Sequence, residues 1–271
     1  MKETVLKWFD ILDFPTEWKD KVIEAMKDFD LAEIENQNTP YAWLLEQENK
    51  MTGMLYALYK CEDFFNQGIK KGIPEEILVA TLQEIRRHSQ NYNRATKGEK
   101  IGLRQIKWAE VILSGRLYCL GRLEFEMKIT QKTWENGGIT TPGAKVLSVH
   151  IPRTGGPLLD AEAEESFKMS KVFFKKYFPD FDYKCYFCHS WLLDPTLRKL
   201  LKPDSNIVKF LDRFDITETN ESESGLRIIF GGDTTYENVL EKTPQTGLQK
   251  SAYEYIKNGG KLLEGFGFIE K

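Results

Sequence analysis

Two of the chain's three histidines lie at the ends of apolar runs that are typical of strands, and they are the first candidates for chemistry. His150 lies near the end of the run 146–151, and His189 ends the run 183–189. An imidazole titrates near neutral pH, so either ring could take a proton from a reacting group. Each ring could instead bond to neighbouring groups and only hold the end of a strand in place.

Glu126 and Ser190 complete the predicted catalytic set with His150 and His189. Glu124 and Glu126 alternate with apolar residues, which is typical of a strand that carries both carboxylates on one face. A carboxylate in a partly apolar pocket can have its pKa raised enough to deprotonate an ammonium, whereas a solvated sheet face would leave it without a chemical role. The Ser190 hydroxyl could protonate a leaving thiolate or simply bond to the turn that follows it.

The string Cys185-Tyr-Phe-Cys188-His189 matches the attachment motif of c-type haem. A spacing of three along a strand would send the two sulfurs to opposite faces, and the chain offers no second ligand pair for zinc. We therefore predict no metal site and no permanently bound cofactor. Because adjacent strand residues also face opposite ways, Cys188 could not easily use His189 as a base, and a cysteine-dependent hydrolase is the weaker hypothesis.

The two histidine-bearing runs flank a helical pattern, and together they predict a strand-helix-strand unit. The first run turns sharply at 152–157, the helical pattern extends from about 160 to 178, and the second run follows Pro179. A crossover of this length makes the two strands parallel, with a right-handed connection. In open α/β sheets ligands bind beyond the carboxyl ends of such strands, which is where both histidines lie.

The rest of the chain divides into a helical part and a mixed part. Helical periodicity dominates to about residue 113, which predicts a join at Ser114-Gly115 and domains 1–115 and 116–271. The other elements predicted for the second domain are a hairpin connection at 136–143, a polar loop at 217–225, strands at 226–230 and 265–269, and helices after Asp194-Pro195, from Asp204 or Ser205, and at 248–256.

The composition is that of an ordinary soluble globular protein. The 271 residues are 41% hydrophobic and 29% charged, and 38 basic against 41 acidic side chains give a net charge of −3. This balance gives no excess of positive charge that would indicate binding to nucleic acid or to a membrane surface. No stretch is typical of a signal peptide or a membrane span, and four cysteines do not make a disulfide framework. We expect a cytoplasmic protein with free thiols.

Four strings occur in the order Gly121-Arg-Leu-Glu-Phe-Glu126, Val149-His-Ile-Pro-Arg-Thr-Gly-Gly-Pro-Leu158, Cys188-His-Ser-Trp-Leu-Leu-Asp-Pro195 and Asp204-Ser-Asn-Ile-Val208. Together they resemble bacterial proteins described as acyltransferase-domain-containing, with an all-helical N-terminal domain and a GNAT-like C-terminal domain. The resemblance implies an α+β or α/β fold, with a helical domain followed by a mixed sheet around a central βαβ unit. It also implies an N-acyltransferase that moves an acyl group from acyl-CoA to a small-molecule amine, with the donor between two splayed parallel strands.

In GNAT proteins a glycine-containing loop at a helix N-terminus holds the CoA pyrophosphate, so the resemblance places donor-binding residues in the turn after the first strand. These are Ile151, Arg153, Thr154, Gly155 and Gly156. The turn departs from the family pattern at Pro157 and Leu158, and four acids follow it, at Asp160, Glu162, Glu164 and Glu165. The departures motivate a second hypothesis, a non-catalytic binding or regulatory module that keeps a degenerate GNAT fold. The acyl group, the acceptor and the oligomeric state stay open.

Overall fold

A computed structural model describes residues 1–131, 141–152 and 155–271. Most of the predicted hairpin connection at 136–143 falls outside these ranges, as do Arg153 and Thr154 of the predicted donor-binding turn. The chain divides into two compact units, Met1–Cys119 and Leu120–Lys271. The predicted domain boundary at Ser114-Gly115 stays a prediction.

The first unit consists mainly of helices, as the periodicity predicted. They are α1 (Lys2–Ile11), α2 (Lys19–Ala25), α3 (Leu31–Glu35), α4 (Pro40–Glu46), α5 (Lys50–Lys70), α6 (Glu75–Ala95) and α7 (Ile106–Leu113), with a 3₁₀ turn at Thr16–Trp18. Pro40 opens α4 at its first position, where the missing N–H has no helical partner to lose. In the described ranges no helix is long and apolar enough to cross a membrane.

The second unit is built on a mixed sheet. Its strands are β1 (Leu117–Leu120, which begins in the first unit), β2 (Leu123–Ile129), β3 (Lys145–His150), β4 (Cys185–Ser190), β5 (Asp215–Glu221) and β6 (Leu263–Glu270). Its helices are α8 (Asp160–Tyr177), α9 (Leu197–Leu200), α10 (Asn206–Leu211), α11 (Ser224–Phe230) and α12 (Gly247–Lys257), with 3₁₀ turns at Trp191–Leu193 and Val239–Glu241. Among the described residues the strand order is β1-β2-β3-β4-β6-β5.

The central βαβ unit is confirmed: α8 connects β3 to β4, and these two strands are parallel. Their ladder pairs Leu147 with Tyr186 and Ser148 with Phe187. Both strands continue past this point, and each is still paired on its outer side, where β2 accompanies β3 to His150 and β6 accompanies β4 to Ser190. The described residues of β3 and β4 therefore part at their carboxyl ends while the rest of the sheet stays paired.

One face of the sheet forms the apolar core with α8. Phe167 of α8 packs edge-on against Phe125 and Tyr186, with ring centroids 5.7 and 5.0 Å apart. The Tyr186 hydroxyl lies 2.8 Å from the Ser170 hydroxyl and 3.1 Å from that of Tyr183, so the buried phenol keeps hydrogen-bond partners. This packing places Phe125 on the α8 face of β2. Glu124 and Glu126 therefore lie on the opposite face, as the alternation in the sequence predicted.

Two predictions for the segment 215–230 are wrong. Residues 217–225, predicted as a polar loop, contain most of β5, which lies at the sheet edge and is largely exposed, so its residues need no apolar alternation. Residues 226–230, predicted as a strand, belong to α11. Leu226 and Ile229 lie three residues apart and are buried on one side of this helix. A five-residue apolar run does not distinguish the two structures.

The three predicted helices after Asp194-Pro195, from Asp204 or Ser205 and at 248–256, and the predicted strand at 265–269, are confirmed with small shifts in their ends. The Ser205 hydroxyl accepts from the N–H of Val208 at the start of α10, as its N-cap position predicted. The Asp194 carboxylate accepts from the N–H of Thr196 just before α9. The predicted helix at 248–256 is α12, and the predicted strand at 265–269 is β6.

We predict that Phe167→Ala lowers the free energy of unfolding by about 3–5 kcal/mol, because it opens a cavity beside the Phe125 and Tyr186 rings. Val172→Ala on the same helix is the matched control, since Val172 is 68% exposed. It should change stability by less than about 0.5 kcal/mol. Urea unfolding of the full chain measures both, and equal losses would contradict the packing of α8 described above.

Candidate active site

A cavity of about 450 Å³ lies on the sheet face opposite α8. Its lining residues come from β2 and its end, from β3, from β4 and from β6: Lys128, Ile129, Thr130, Gln131, Val146, Ser148, His150, Phe187, His189 and Phe266. The ladder registers explain this set, because Ser148 pairs with Glu126 and Phe187, and His189 pairs with Phe266. Both predicted catalytic histidines therefore line one cavity, where β3 and β4 part.

His150 is paired with a buried carboxylate. Its Nε2 lies 3.1 Å from Glu126 Oε2, diagonally across the β2–β3 ladder, in which Glu124 is the direct partner of His150. Glu126 is 6% exposed and Glu124 is 2% exposed. The solvated sheet face considered as an alternative for these carboxylates is therefore wrong. The predicted catalytic residues Glu126 and His150 lie in contact with each other.

His189 has a carboxylate partner of its own, which no pattern in the sequence indicated. His189 Nε2 lies 3.1 Å from Glu264 Oε1 of β6, and its ring stacks on Phe266 with centroids 3.8 Å apart and planes 7° apart. Glu264 and Phe266 share a face because they are two residues apart on a strand. The β4–β6 pairing brings this glutamate to His189 across 75 residues of sequence.

The Glu264 carboxylate is held in its ionised form. Partial burial raises its pKa, but the Ser224 hydroxyl, which donates to Oε2 at 2.8 Å, and the charge of His189 outweigh burial and lower the pKa below its ordinary value. An ionised carboxylate on one ring nitrogen holds an imidazole in one orientation and one tautomer. The His189–Glu264 pair is therefore arranged to fix the direction in which the histidine ring faces the cavity.

Ser190 and Cys188 lie on the other side of β4 from the cavity. The Ser190 hydroxyl accepts from the N–H of Leu192 at 3.1 Å and caps the following 3₁₀ turn. Cys188 is fully buried, and burial raises the pKa of its thiol to about 12. Such a thiol is neutral at physiological pH, which argues against a cysteine-dependent hydrolase.

The strand geometry separates the two cysteines of the haem-like string. Cys185 packs with Val146 and Phe187 on the cavity side of the sheet, whereas Cys188 alternates to the α8 side. In residues 1–131, 141–152 and 155–271, no three His, Cys, Asp or Glu side chains are grouped to hold a metal ion.

The predicted donor-binding turn begins at Ile151, directly after β3. Arg122, from the turn between β1 and β2, donates to the carbonyl of Pro152 at 3.0 Å and to that of Gly156 at 3.1 Å. Gly155 and Gly156 have φ values of +107° and +79°, which favour glycine. One guanidinium thus fixes both ends of the turn through its carbonyls. Arg122 belongs to the string 121–126, but no pattern in the sequence indicated this contact.

The acids that follow the turn are partly neutralised within the domain. Arg213, between α10 and β5, donates to Asp160 Oδ1 at 2.5 Å and to Glu164 Oε2 at 2.6 Å. The hydrogen bond and the charge of Arg213 lower the pKa of Glu164 below its ordinary value. The repulsion that four acids at the start of α8 would exert on a phosphate is reduced accordingly.

We predict that Arg213→Met lowers the free energy of unfolding at pH 7 by about 1 kcal/mol, because solvent screens these half-exposed carboxylates. A pKa that is lower in the folded state contributes stability above the unfolded pKa and loses it as pH falls through the folded pKa. The difference between wild type and variant should therefore shrink below about pH 4. Arg198→Met, which removes a more exposed pair with Asp212, is the control and should cost less. A difference that grows on acidification would contradict this account.

The fold is similar to that of acyltransferases of known structure. One is an acyltransferase in complex with decanoyl-CoA and teicoplanin, with a TM-score of 0.76 at 21% identity over 99% of this chain and 88% of that chain. Another is an acyltransferase mutant in complex with octanoyl-CoA, with a TM-score of 0.77 at 21% identity over 100% of this chain and 88% of that chain. At this identity the likeness shows a shared fold.

Sequence comparison identifies the family. No curated protein matches this chain in sequence. The sequence profile described as the GNAT-like C-terminal domain matches residues 117–269, which cover the whole sheet from β1 to β6 apart from one residue at its end. This is the family that the four quoted strings suggested. The chain belongs to the family of proteins with a GNAT-like C-terminal domain.

Proposed function

We propose that the protein is an acyl-CoA-dependent N-acyltransferase that transfers an acyl group to a small-molecule amine. The observation that carries the proposal is the pair of histidine–carboxylate contacts in one cavity, where β3 and β4 part. Membership of the GNAT-like family and the fold shared with acyltransferases in complex with decanoyl-CoA, octanoyl-CoA or CoA support it. We also propose a cytoplasmic location, which the free thiols of the four cysteines support.

We assign the binding of the donor's phosphates to the segment after β3. The residues assigned are Ile151, Arg153, Thr154, Gly155 and Gly156. Arg122 donates to the carbonyls of Pro152 and Gly156, and Gly155 and Gly156 have positive φ values, as in the backbone concavities whose N–H groups bind anions. The Arg213 contacts with Asp160 and Glu164 remove part of the opposing charge. These features fit an anion at the turn despite Pro157.

The reaction is a direct acyl transfer. The amine nitrogen attacks the thioester carbonyl carbon, a C–N bond forms, the C–S bond breaks, and the products are an amide and the thiol of CoA. The proton lost by the amine passes to a histidine and from there to the departing sulfur. We assign the stabilisation of the oxygen of the tetrahedral intermediate to backbone N–H groups at the end of β3, near Val149–Ile151.

We assign the proton transfer to His189. Its side chain is 40% exposed, against 29% for His150, and its partner Glu264 has a lowered pKa. An imidazole held by an ionised carboxylate keeps one orientation and one tautomer. His150 and Glu126 form the opposite wall, where the pair can accept a hydrogen bond from the neutral acceptor amine and position its nitrogen for attack. The Ser190 hydroxyl already caps the next turn, so no proton transfer is assigned to it.

We predict that His189→Ala lowers kcat for acyl transfer by about 10²–10⁴-fold, because the general base is removed. Glu264→Gln should lower kcat less, since the ring remains. His88→Gln, in α6 of the first unit, is the control and should leave kcat within twofold. The measurement follows CoA release from decanoyl-CoA and amide formation by mass spectrometry, with a panel of primary amines as acceptors.

The binding-module hypothesis makes a different prediction for the same proteins. It expects binding of a ligand without turnover in wild type, and no effect of either cavity histidine. Acyl transfer by wild type that His189→Ala and His150→Ala both leave unchanged would contradict our assignment of the site.

A binding measurement tests the donor independently of the acceptor. Decanoyl-CoA should raise the midpoint of thermal unfolding, since a ligand at a hundredfold excess over its Kd stabilises the native state by about 2.7 kcal/mol. The cavity variants should keep this shift. No shift with CoA or any acyl-CoA at millimolar concentration would overturn the proposed function.

A further inference from the structure

The carboxylate that contacts His189 is itself held by two serines from another part of the sequence. Ser222 directly follows β5, and Ser224 is the first residue of α11. The Ser222 hydroxyl donates to the Ser224 hydroxyl at 3.0 Å, and the Ser224 hydroxyl donates to Glu264 Oε2 at 2.8 Å. The other carboxylate oxygen, Oε1, lies 3.1 Å from His189 Nε2. Four side chains therefore form one chain of contacts that ends in the cavity.

The direction of these hydrogen bonds assigns the protons along the chain of contacts. A hydroxyl has one proton, and Ser224 donates its proton to the carboxylate while its oxygen accepts from Ser222. An ionised carboxylate can only accept, so the Nε2 atom of a neutral His189 carries the ring proton and donates it to Glu264. A neutral imidazole has one donor and one acceptor nitrogen, which leaves the lone pair on Nδ1. Within residues 1–131, 141–152 and 155–271, no hydrogen bond occupies Nδ1.

The backbone that carries these side chains is fixed near the start of β6. The N–H of Leu263, the residue before the glutamate, donates to the Asp194 carboxylate at 2.8 Å, and Asp194 is 1% exposed. The N–H of Ser222 donates to the carbonyl of Leu262 at 3.3 Å. These bonds join the segment before α11 to the segment before Glu264. The serine hydroxyls therefore reach the carboxylate from a backbone that is itself held in place.

A local structural role explains only part of this arrangement. The Ser222 oxygen accepts from the N–H of Ser224 at 3.1 Å, which stabilises the turn into α11. That bond does not require the Ser224 hydroxyl to donate to a carboxylate. Burial raises the pKa of Glu264, but the hydrogen bonds from Ser224 and Ser222, together with the charge of His189, lower it. The two serines therefore act on the charge and orientation of the residue that contacts the ring.

We propose that Ser224, supported by Ser222, is a positioning residue for acyl transfer, which fixes Glu264 so that His189 stays protonated at Nε2 and takes the amine proton at Nδ1. The proposal rests on the proposed function, since it names the atom that carries out the assigned proton transfer. The proton leaves the amine nitrogen for Nδ1 as the C–N bond forms. It passes from Nδ1 to the departing sulfur as the C–S bond breaks. The proton on Nε2 stays on the ring throughout.

The kinetic test compares Ser224→Ala, Glu264→Gln and the double variant, with decanoyl-CoA as donor and primary amines as acceptors. Ser224→Ala should lower kcat about tenfold, because a misaligned base transfers the proton less efficiently. It should leave the Kd of decanoyl-CoA within about twofold, since Ser224 is not assigned to donor binding. The double variant should be about as slow as the slower single variant, because the serine acts through the glutamate. Effects that simply multiply would contradict this coupling.

Ser205→Ala is the matched control. Ser205 also lies at the start of a short helix in the same unit, where its hydroxyl accepts from the N–H of Val208, and it has no contact with the cavity residues. Loss of this N-cap should lower the midpoint of thermal unfolding and leave kcat within about twofold. A merely structural role of Ser224 would make the two alanine variants behave alike.

A spectroscopic measurement tests the proton positions without turnover. In protein labelled with ¹⁵N-histidine, at a basic pH that keeps imidazoles neutral, the ¹⁵N shifts show which ring nitrogen carries the proton. Wild-type and Ser205→Ala protein should show His189 protonated at Nε2, whereas Ser224→Ala should show a mixture of both tautomers. A wild-type ring protonated at Nδ1, or a Ser224→Ala ring that keeps the wild-type tautomer, would overturn the inference.

The outcomes for the two proposals are distinguishable. If the wild type transfers the acyl group and Ser224→Ala keeps the wild-type kcat, the positioning role is overturned while the proposed function stands. If the wild type binds no acyl-CoA and transfers no acyl group to any amine tested, the proposed function fails, and the assignment of Nδ1 as the proton acceptor fails with it.

Discussion

The arrangement of the site depends on the parallel ladder between β3 and β4, which ends before either strand ends. Beyond Ser148 and Phe187, β3 and β4 are held apart by their outer partners, β2 and β6. Backbone N–H and C=O groups on the two inner edges must then find partners outside the sheet. A parted pair of strands is therefore both a cleft and a row of hydrogen-bonding groups. It can take an extended ligand that bonds to the backbone along its length.

The buried polar side chains of the sheet lie mainly on the face opposite α8. The α8 face is closed by aromatic packing around Phe167, so polar groups there are few and paired. The opposite face carries Glu124, Glu126 and Ser148, each at most 6% exposed, together with the two cavity histidines. Buried carboxylates are costly unless they have partners. Here His150 and His189, from neighbouring strands, pair with Glu126 and Glu264. The geometry of the site therefore depends on the register of the sheet.

Much of the fold of the second unit could be predicted from the sequence, because it depends on local patterns of apolar and polar residues. The βαβ unit followed from two apolar runs around an amphipathic helix, and the face of Glu126 followed from strand alternation. The predicted loop at 217–225 failed because an exposed edge strand such as β5 has no apolar face to reveal it. The run 226–230 was too short for its periodicity to separate a strand from a helix.

The contacts that complete the site could not be predicted because they join distant parts of the chain. Glu264 meets His189 only through the β4–β6 register, and Arg122 meets the turn after β3 from a different hairpin. Arg213 likewise reaches Asp160 from beyond α10. Glutamate and arginine are common surface residues, and no spacing in the sequence distinguishes these three. Only the three-dimensional fold brings these residues to their partners.

The central claim is that an acyl-CoA binds where β3 and β4 part, beside His150 and His189. The most direct measurement is nuclear magnetic resonance of the imidazole nitrogens in protein labelled with ¹⁵N-histidine, during titration with decanoyl-CoA. The chain has three histidines, so three single substitutions assign the spectrum, and His88 of α6 is an internal reference. We expect the resonances of His150 and His189 to shift and saturate together while those of His88 stay in place. Resonances of both cavity histidines that remain unchanged at saturating decanoyl-CoA would contradict the account.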